Sequence, residues 1–215
     1  MHNLQPYVEF FDAAYPTYAD GPYQEIRRLV DSYTAENTTA TVQSADFARA
    51  VELVQPLIAI RNYKSQVPFP RDVVAAITCI VEIYRRKVAS EDVLGAHHAL
   101  MARLLGVQGF RLPTASAVMH FCHPDHFPIV DVNVEAACAL LKARYDGDFQ
   151  DLDAPKVPKY QGNPDTVIDA YRGFIAFIDR VRVLQKQYGT ATDYRYIDKA
   201  LMVLGGDRTR AHFEG

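Results

Sequence analysis

Apolar residues recur every three to four positions along most of this chain, which is the spacing of a helix with one buried face. Asp20 and Pro22 mark the first such segment, because Asp is a favoured N-cap and Pro fits a first helical turn. Further segments of this kind begin near Ser44, Arg71, Ser90, Pro113, Val132, Pro164 and Tyr194. Few segments alternate apolar and polar residues as a half-buried strand does. The pattern therefore predicts an all-α protein of roughly nine helices.

The composition fits a folded chain with a sizeable core. The chain has 215 residues, of which 49% are hydrophobic, and this excludes a disordered protein. The length suits one compact unit spanning residues 1–215. No run of 18 apolar residues occurs, so no membrane partner is expected. The N-terminus lacks the basic and apolar pattern of a signal peptide.

The three cysteines, Cys79, Cys122 and Cys138, are scattered within apolar stretches. Their odd number and their spacing do not suggest a disulfide framework. We therefore expect reduced thiols in a cytoplasmic protein.

A short glycine-containing turn joins two predicted helices in the middle of the chain. Gly106 and Gly109 lie in the turn, and small residues open the second helix at positions 113–117. Such a turn exposes backbone N–H groups beside a helix N-terminus, which suits an anion such as a nucleic-acid phosphate. Simple helix packing is the alternative interpretation of the same pattern.

The order of features from this turn onward resembles the helix-hairpin-helix DNA glycosylase superfamily. The matching residues are Gly109, the pair Thr114 and Ala115, and the segment 128–134, which includes a hydrophobic–hydrophobic–Asp–X–X–Val signature. Asp131 falls where that family carries its catalytic aspartate. The match covers about 30 residues, and the helical pattern on either side agrees with it only in a general way.

The resemblance implies a two-lobed fold and base-excision DNA repair. One lobe is expected at residues 41–128, ending in the hairpin, and the other combines residues 1–40 with 129–215. The family's activity is hydrolysis of the N-glycosidic bond of a damaged base that has been flipped out of duplex DNA. The implied DNA-binding residues are Gly106, Gly109, Arg111, Thr114 and Ser116, and Asp131 is the implied catalytic residue.

Pro113 favours the monofunctional version of this chemistry. In bifunctional members a lysine precedes the Thr–Ala pair, and here Pro113 stands at that position, 18 residues before Asp131. Proline cannot form a Schiff base, so no strand-cleaving lyase activity is expected. The resemblance implies no cofactor, no metal and no iron–sulfur cluster, since the four-cysteine cluster of some members is missing.

Arg111 departs from the family pattern and leaves an alternative open. It replaces the second glycine of the hairpin, where a backbone with positive φ would be strained. Arg111 could bind phosphate through its side chain. Otherwise the chain is a non-catalytic helix-hairpin-helix scaffold or interaction protein, and Asp131 is only the N-cap of the helix that follows it.

Two other segments allow different interpretations. His120, Cys122, His123 and His126 lie close together and permit a metal site, although their spacing fits no standard zinc pattern. The Tyr- and Arg-containing segment 194–201 could stack on bases, but its helical stripe favours a place in the core.

The net charge and its distribution along the chain favour weak binding of DNA. The 23 basic and 26 acidic residues give a net charge of −3. From residue 100 to residue 114 the only charges are Arg103 and Arg111, whereas four Asp residues fall in the polar stretch 145–162. We therefore expect weak, salt-sensitive binding of duplex DNA.

Overall fold

The computed structural model describes residues 1–16, 20–21, 23–24, 27–28, 79–80, 82–83, 86, 92–107, 110–207, 209 and 213, and structural statements below refer to these residues. Several sequence predictions concern residues outside these ranges. They are the helix starts at Ser44 and Arg71, the hairpin residue Gly109 and most of the proposed lobe 41–128 before residue 92.

The described part of the chain is helical and contains no strand, which confirms the all-α class there. Its six α-helices are α1 (Gln5–Ala14), α2 (Val93–Leu105), α3 (Leu112–Cys122), α4 (Val132–Arg144), α5 (Pro164–Gln185) and α6 (Tyr194–Gly205). Short 3-10 helices at Asp146–Phe149 and Lys186–Tyr188 follow α4 and α5.

Acidic or amide side chains cap the N-termini of four of these helices. Asp131, Asn163 and Asp193 accept backbone N–H bonds at the starts of α4, α5 and α6. At the start of α2 the cap is Asp92, which accepts from Gly95 N at 2.8 Å. The expectation that α2 begins at Ser90 is therefore corrected by two residues, because Asp92 makes the capping bond.

One core cluster connects all six helices. Helix α6 packs against both α1 and α4, while α5 packs against α2, α3 and α6. Every residue of α3 except Pro113 is buried, so this helix lies in the interior on all its sides. No helix in the described ranges has the length and apolar character needed to cross a bilayer.

The three cysteines are free and buried, as the sequence predicts. Burial raises the pKa of the Cys138 thiol, which holds it in the unreactive protonated form.

We expect Cys138 to resist a thiol-specific reagent in the native protein for as long as the fold is intact. In denaturant all three thiols are expected to react within minutes. Peptide mapping after timed labelling checks this, and rapid native-state labelling of Cys138 would contradict the buried position.

Candidate functional site

Asp131 stands at the N-terminus of α4 with an extended backbone. Its Oδ1 accepts hydrogen bonds from Asn133 N at 2.9 Å and Val134 N at 3.0 Å. The residue is half-buried. The structure therefore confirms the N-cap role of Asp131.

The segment leading into Asp131 is fixed by side chains from two helices. Ser116 Oγ, on α3, accepts from Val130 N at 3.1 Å and donates to Pro113 O at 3.0 Å. On α5, Tyr171 donates its hydroxyl to Pro128 O at 2.7 Å. The contacts to Val130 N and Pro128 O are buried, so the backbone that carries Asp131 has little freedom to move.

Replacing Ser116 by Ala is expected to lower the free energy of unfolding by about 1–3 kcal/mol, because the change removes the buried acceptor of the Val130 N–H. Urea denaturation measures the loss. Thr at this position keeps the hydroxyl and serves as the comparison. A Ser116→Ala protein as stable as the wild type would contradict a stabilising role for the hydrogen bond between Val130 N and Ser116 Oγ.

Helices α4 and α6 meet in close contact directly beside Asp131. A Cβ placed on Gly205 would overlap the carbonyl oxygen of Asn133 and lie 2.6 Å from its carbonyl carbon and 2.9 Å from Ala137 N. Asn133 also directs its side-chain amide at the sulfur of Met202, at 3.8 Å. The absence of a side chain at position 205 thus sets the distance between the two helices.

The hairpin turn between α2 and α3 is only partly described. Gly106 is exposed and ends α2 in the right-handed helical region. Arg111 precedes α3 with φ −107° and ψ 175°, so the backbone strain expected at this position is absent. Its side chain is exposed, and within the described ranges it has no ion-pair partner.

The start of α3 offers fewer free N–H groups than the sequence suggested. Leu112 N donates to Oε1 of Gln161 at 2.8 Å, and Pro113 has no N–H to offer. Thr114 and Ser116, two of the predicted DNA-binding residues, have buried side chains. Among the described residues at the start of α3, the exposed Arg111 side chain is therefore the group best placed to meet an anion.

Arg103 adds less positive charge to this region than its position in the sequence implied. Its guanidinium lies 2.7 Å from a carboxylate oxygen of Glu82. The local charge of +2 expected from residues 100–114 is therefore corrected, since Glu82 neutralises one of the two cations.

Three parts of the chain meet at His120, on α3. His120 Nε2 lies 2.7 Å from the Tyr23 hydroxyl, and Nδ1 lies 2.7 Å from Phe127 O. The Arg195 guanidinium lies over the Tyr23 ring and is bound at 2.9 Å to Asp198, a buried carboxylate. Burial raises the pKa of Tyr23 to about 12. Sequence analysis missed Tyr23 because nothing in the pattern relates it to residues almost a hundred positions away.

The histidines near the end of α3 are used in hydrogen bonds. Both ring nitrogens of His120 have partners, and His123 Nε2 lies 2.6 Å from Ile83 O. Where the chain is described, no group of three or more His, Cys, Asp or Glu residues is placed to hold a metal ion. The alternative of a metal site at residues 120–126 therefore finds no geometric support.

The aromatic and basic segment 194–201 belongs to the core. Tyr194 and Tyr196 are buried, and the Arg182 guanidinium stacks on the Tyr194 ring. The interpretation of this segment as a base-stacking surface is thus not supported by its burial, and the alternative core interpretation fits.

A groove of about 360 Å³ lies between the start of α2, the loop at 125–127, α5 and Tyr194. Asp92 and Arg172 form an ion pair in its wall, at 3.1 Å. Neither Asp131 nor Arg111 lines this groove.

Comparisons with protein-family models, with curated proteins and with solved structures found no match to this chain.

Proposed function

We propose that this protein is a monofunctional DNA glycosylase-like hydrolase that removes a damaged base from duplex DNA. The observation that carries the proposal is the position of Asp131, a half-buried carboxylate at a helix N-terminus, on a segment fixed by Ser116 and Tyr171. Catalysis by a carboxylate requires such fixed placement, because an electrostatic stabiliser works best when it need not reorganise. The sequence signature around Asp131 supplies the family to which we relate it.

The proposed reaction breaks the bond between the base nitrogen and C1′ of the sugar. As this bond breaks, C1′ acquires the positive charge of an oxocarbenium ion, and the Asp131 carboxylate stabilises that charge. The bonding electron pair leaves with the base nitrogen, water adds its oxygen to C1′, and the proton that water loses ends on the departing base, so that a neutral free base and an abasic site result. With Pro113 at the lysine position, no covalent enzyme–sugar intermediate forms there.

The proposed DNA contact is centred on the hairpin, with Arg111 as the phosphate ligand. The Ser116–Val130 hydrogen bond joins α3 to the residue before Asp131, so Arg111 lies only about one and a half turns of helix from this junction. This connection supports the proposal that the phosphate contact and the reaction centre act on one stretch of DNA. Few cations line this region, so binding is expected to be weak and to fall steeply with salt.

The proposal includes a division of the chain into two lobes. We assign residues 41–128 to one lobe and residues 1–40 with 129–215 to the other, with Asp131 where they join. The free cysteines agree with a reducing compartment such as the cytoplasm.

A non-catalytic helix-hairpin-helix module is the second candidate. The bond from Leu112 N to Gln161 favours it, since a side chain of the protein itself occupies an amide that a phosphate would use. In this case Asp131 acts only as the N-cap of α4.

Base release from a panel of duplex oligonucleotides, each with one damaged base, tests the proposal. We expect a free base and an abasic site, with strand breakage only after treatment with alkali. Strand cleavage without alkali would contradict the monofunctional mechanism. If no duplex of the panel is bound at low salt and no base is released, the glycosylase proposal fails.

A further inference from the structure

An extended segment between α4 and α5, residues 152–162, crosses the region between Asp131 and the hairpin. We call it the strap. Val157 N in the strap donates to Glu135 Oε2 at 3.1 Å, and Glu135 lies one helical turn after Asp131. Further along, Gln161 accepts from Leu112 N at 2.8 Å, beside Arg111. The strap is therefore anchored at both ends of the proposed DNA-contact region.

The strap holds its shape without pairing to a strand. The amide of Gln161 also donates to Pro158 O at 3.1 Å, which fixes the orientation of its side chain. Pro155 packs near Gly173 of α5, where a Cβ would lie 3.7 Å away. Two prolines three residues apart restrict the backbone further, so little entropy is lost when a ligand binds here.

The exposed charges of the strap are two lysines and one aspartate. Lys156, Lys159 and Asp153 are exposed, and residues 154–163 contain no further acidic side chain, so the strap carries a net charge of +1. Three residues of extended chain separate these lysines by about 10 Å, a distance that lets both side chains reach the phosphates of one strand. The bond from Leu112 N to Gln161 brings the strap beside Arg111, which is a further exposed cation.

Three of the four aspartates of the same interhelical connection are paired with cations of the protein, and the fourth, Asp153, lies in the strap. Asp146 lies 2.7 Å from Lys142, Asp151 lies 2.7 Å from Arg180, and Asp148 lies 3.2 Å from the N-terminal ammonium. These carboxylates therefore offset the strap lysines less than their proximity in sequence suggests.

Tyr160 is the aromatic component of this face and is 82% exposed. Its ring lies over the backbone of Gly162, where an added Cβ would come within 2.9 Å of the ring carbon Cε1. An exposed tyrosine beside cations is the combination that proteins use to stack an unpaired base while holding the adjacent phosphates.

We propose that the strap is a second nucleic-acid-binding element, in which Lys156 and Lys159 bind the phosphate backbone and Tyr160 stacks on an unpaired base. The inference extends the DNA contact of the proposed function, on which it rests for its ligand class. It does not depend on Asp131 chemistry. A strap of this kind contacts the strand next to the position from which a base is extruded.

Fluorescence anisotropy with a labelled single strand, and with a duplex containing one abasic-site analogue, tests the strap. The double variant Lys156→Ala/Lys159→Ala is expected to bind the duplex at least about 10-fold more weakly and to reduce the salt slope by about 2. Lys186→Ala removes one exposed positive charge outside the strap and is expected to leave both quantities unchanged.

The tyrosine is tested separately. Tyr160→Ala is expected to weaken single-strand binding about 5-fold or more with an unchanged salt slope, and Tyr160→Phe is expected to retain binding, since stacking needs the ring and not the hydroxyl. Circular dichroism and thermal unfolding verify that each variant is folded.

The outcomes separate this inference from the proposed function. If DNA binding depends on the strap residues but no base is released from any substrate, the proposal for the strap is supported and the glycosylase proposal fails. If the strap variants bind DNA as tightly as the wild-type protein, only the proposal for the strap is overturned. Absence of DNA binding at 50 mM salt, or strap-dependent binding to vesicles of anionic lipid instead of DNA, also overturns it.

Discussion

Gly205→Ala is expected to destabilise the protein by about 3 kcal/mol or more. The methyl group would overlap the Asn133 carbonyl oxygen and crowd Ala137 N, and both of these are backbone atoms that cannot rotate away. Relief requires α4 and α6 to separate, which opens the core that they share. Urea denaturation of the purified variant measures the effect.

The same substitution is expected to disturb the candidate site. The Asn133 carbonyl shares its peptide unit with Val134 N, which donates to Asp131 Oδ1, so displacement of this peptide unit weakens the cap of α4. Gly147→Ala is the matched control, because a Cβ there meets nothing within 4 Å, and we expect a change within about 0.5 kcal/mol. Equal stability of the two variants would contradict the close helix contact.

Asp131→Asn is expected to separate the two roles of this side chain. Asn caps a helix about as well as Asp, so the free energy of unfolding is expected to change by no more than about 0.5 kcal/mol. Base release is expected to fall by at least about 100-fold, because the neutral amide cannot stabilise a cationic sugar. Chemical denaturation and single-turnover base release on the same preparation measure both quantities.

Asp131→Ala is the companion variant. It is expected to lose activity to the same extent and, in addition, about 1 kcal/mol of stability, because Ala leaves the cap bonds to Asn133 N and Val134 N unmade. If the protein is the non-catalytic module, the two variants differ in stability only. If Asp131→Asn releases base at the wild-type rate, Asp131 is not the catalyst.

Helix boundaries were predictable for some elements and not for others: helix α1 (Gln5–Ala14) precedes the first segment that the pattern predicts, which begins at Asp20. Helix α4 was expected to begin near Val132 and is found at Val132–Arg144, because Asp131 caps it and Arg144 lies in its last turn. At α2 the sequence was less decisive, since Ser90 and Asp92 are both good caps and only the hydrogen bond to Gly95 distinguishes them.

Contacts between distant segments could not be read from the pattern. Gly205 resembles a simple helix end in the sequence, yet its lack of a side chain allows contact with Asn133, 72 residues earlier. The bond between Gln161 and Leu112 spans 49 residues and changes the chemistry of the hairpin. Sequence periodicity carries information about one element at a time, so pairings of this kind appear only in three dimensions.

The charge distribution illustrates the same limit. The basic appearance of residues 100–114 ignored Glu82, which pairs with Arg103 across 21 positions. The four aspartates of the polar stretch 145–162 look alike in the sequence, whereas Asp146 and Asp151 are paired with Lys142 and Arg180 and Asp153 is exposed near two exposed lysines. The charges counted along the sequence therefore do not give the charge that either the hairpin or the connection 145–162 exposes to solvent.

The most direct test of the central claim needs no knowledge of the damaged base. It compares equilibrium binding of two duplexes, one with a cationic pyrrolidine analogue at the abasic position and one with the neutral tetrahydrofuran analogue. A carboxylate placed to stabilise a cationic sugar predicts at least about 10-fold tighter binding of the pyrrolidine duplex, or about 1.4 kcal/mol, and predicts that Asp131→Asn removes this difference. Equal affinities for the two duplexes in the wild-type protein would contradict the assignment of Asp131 as the catalytic residue.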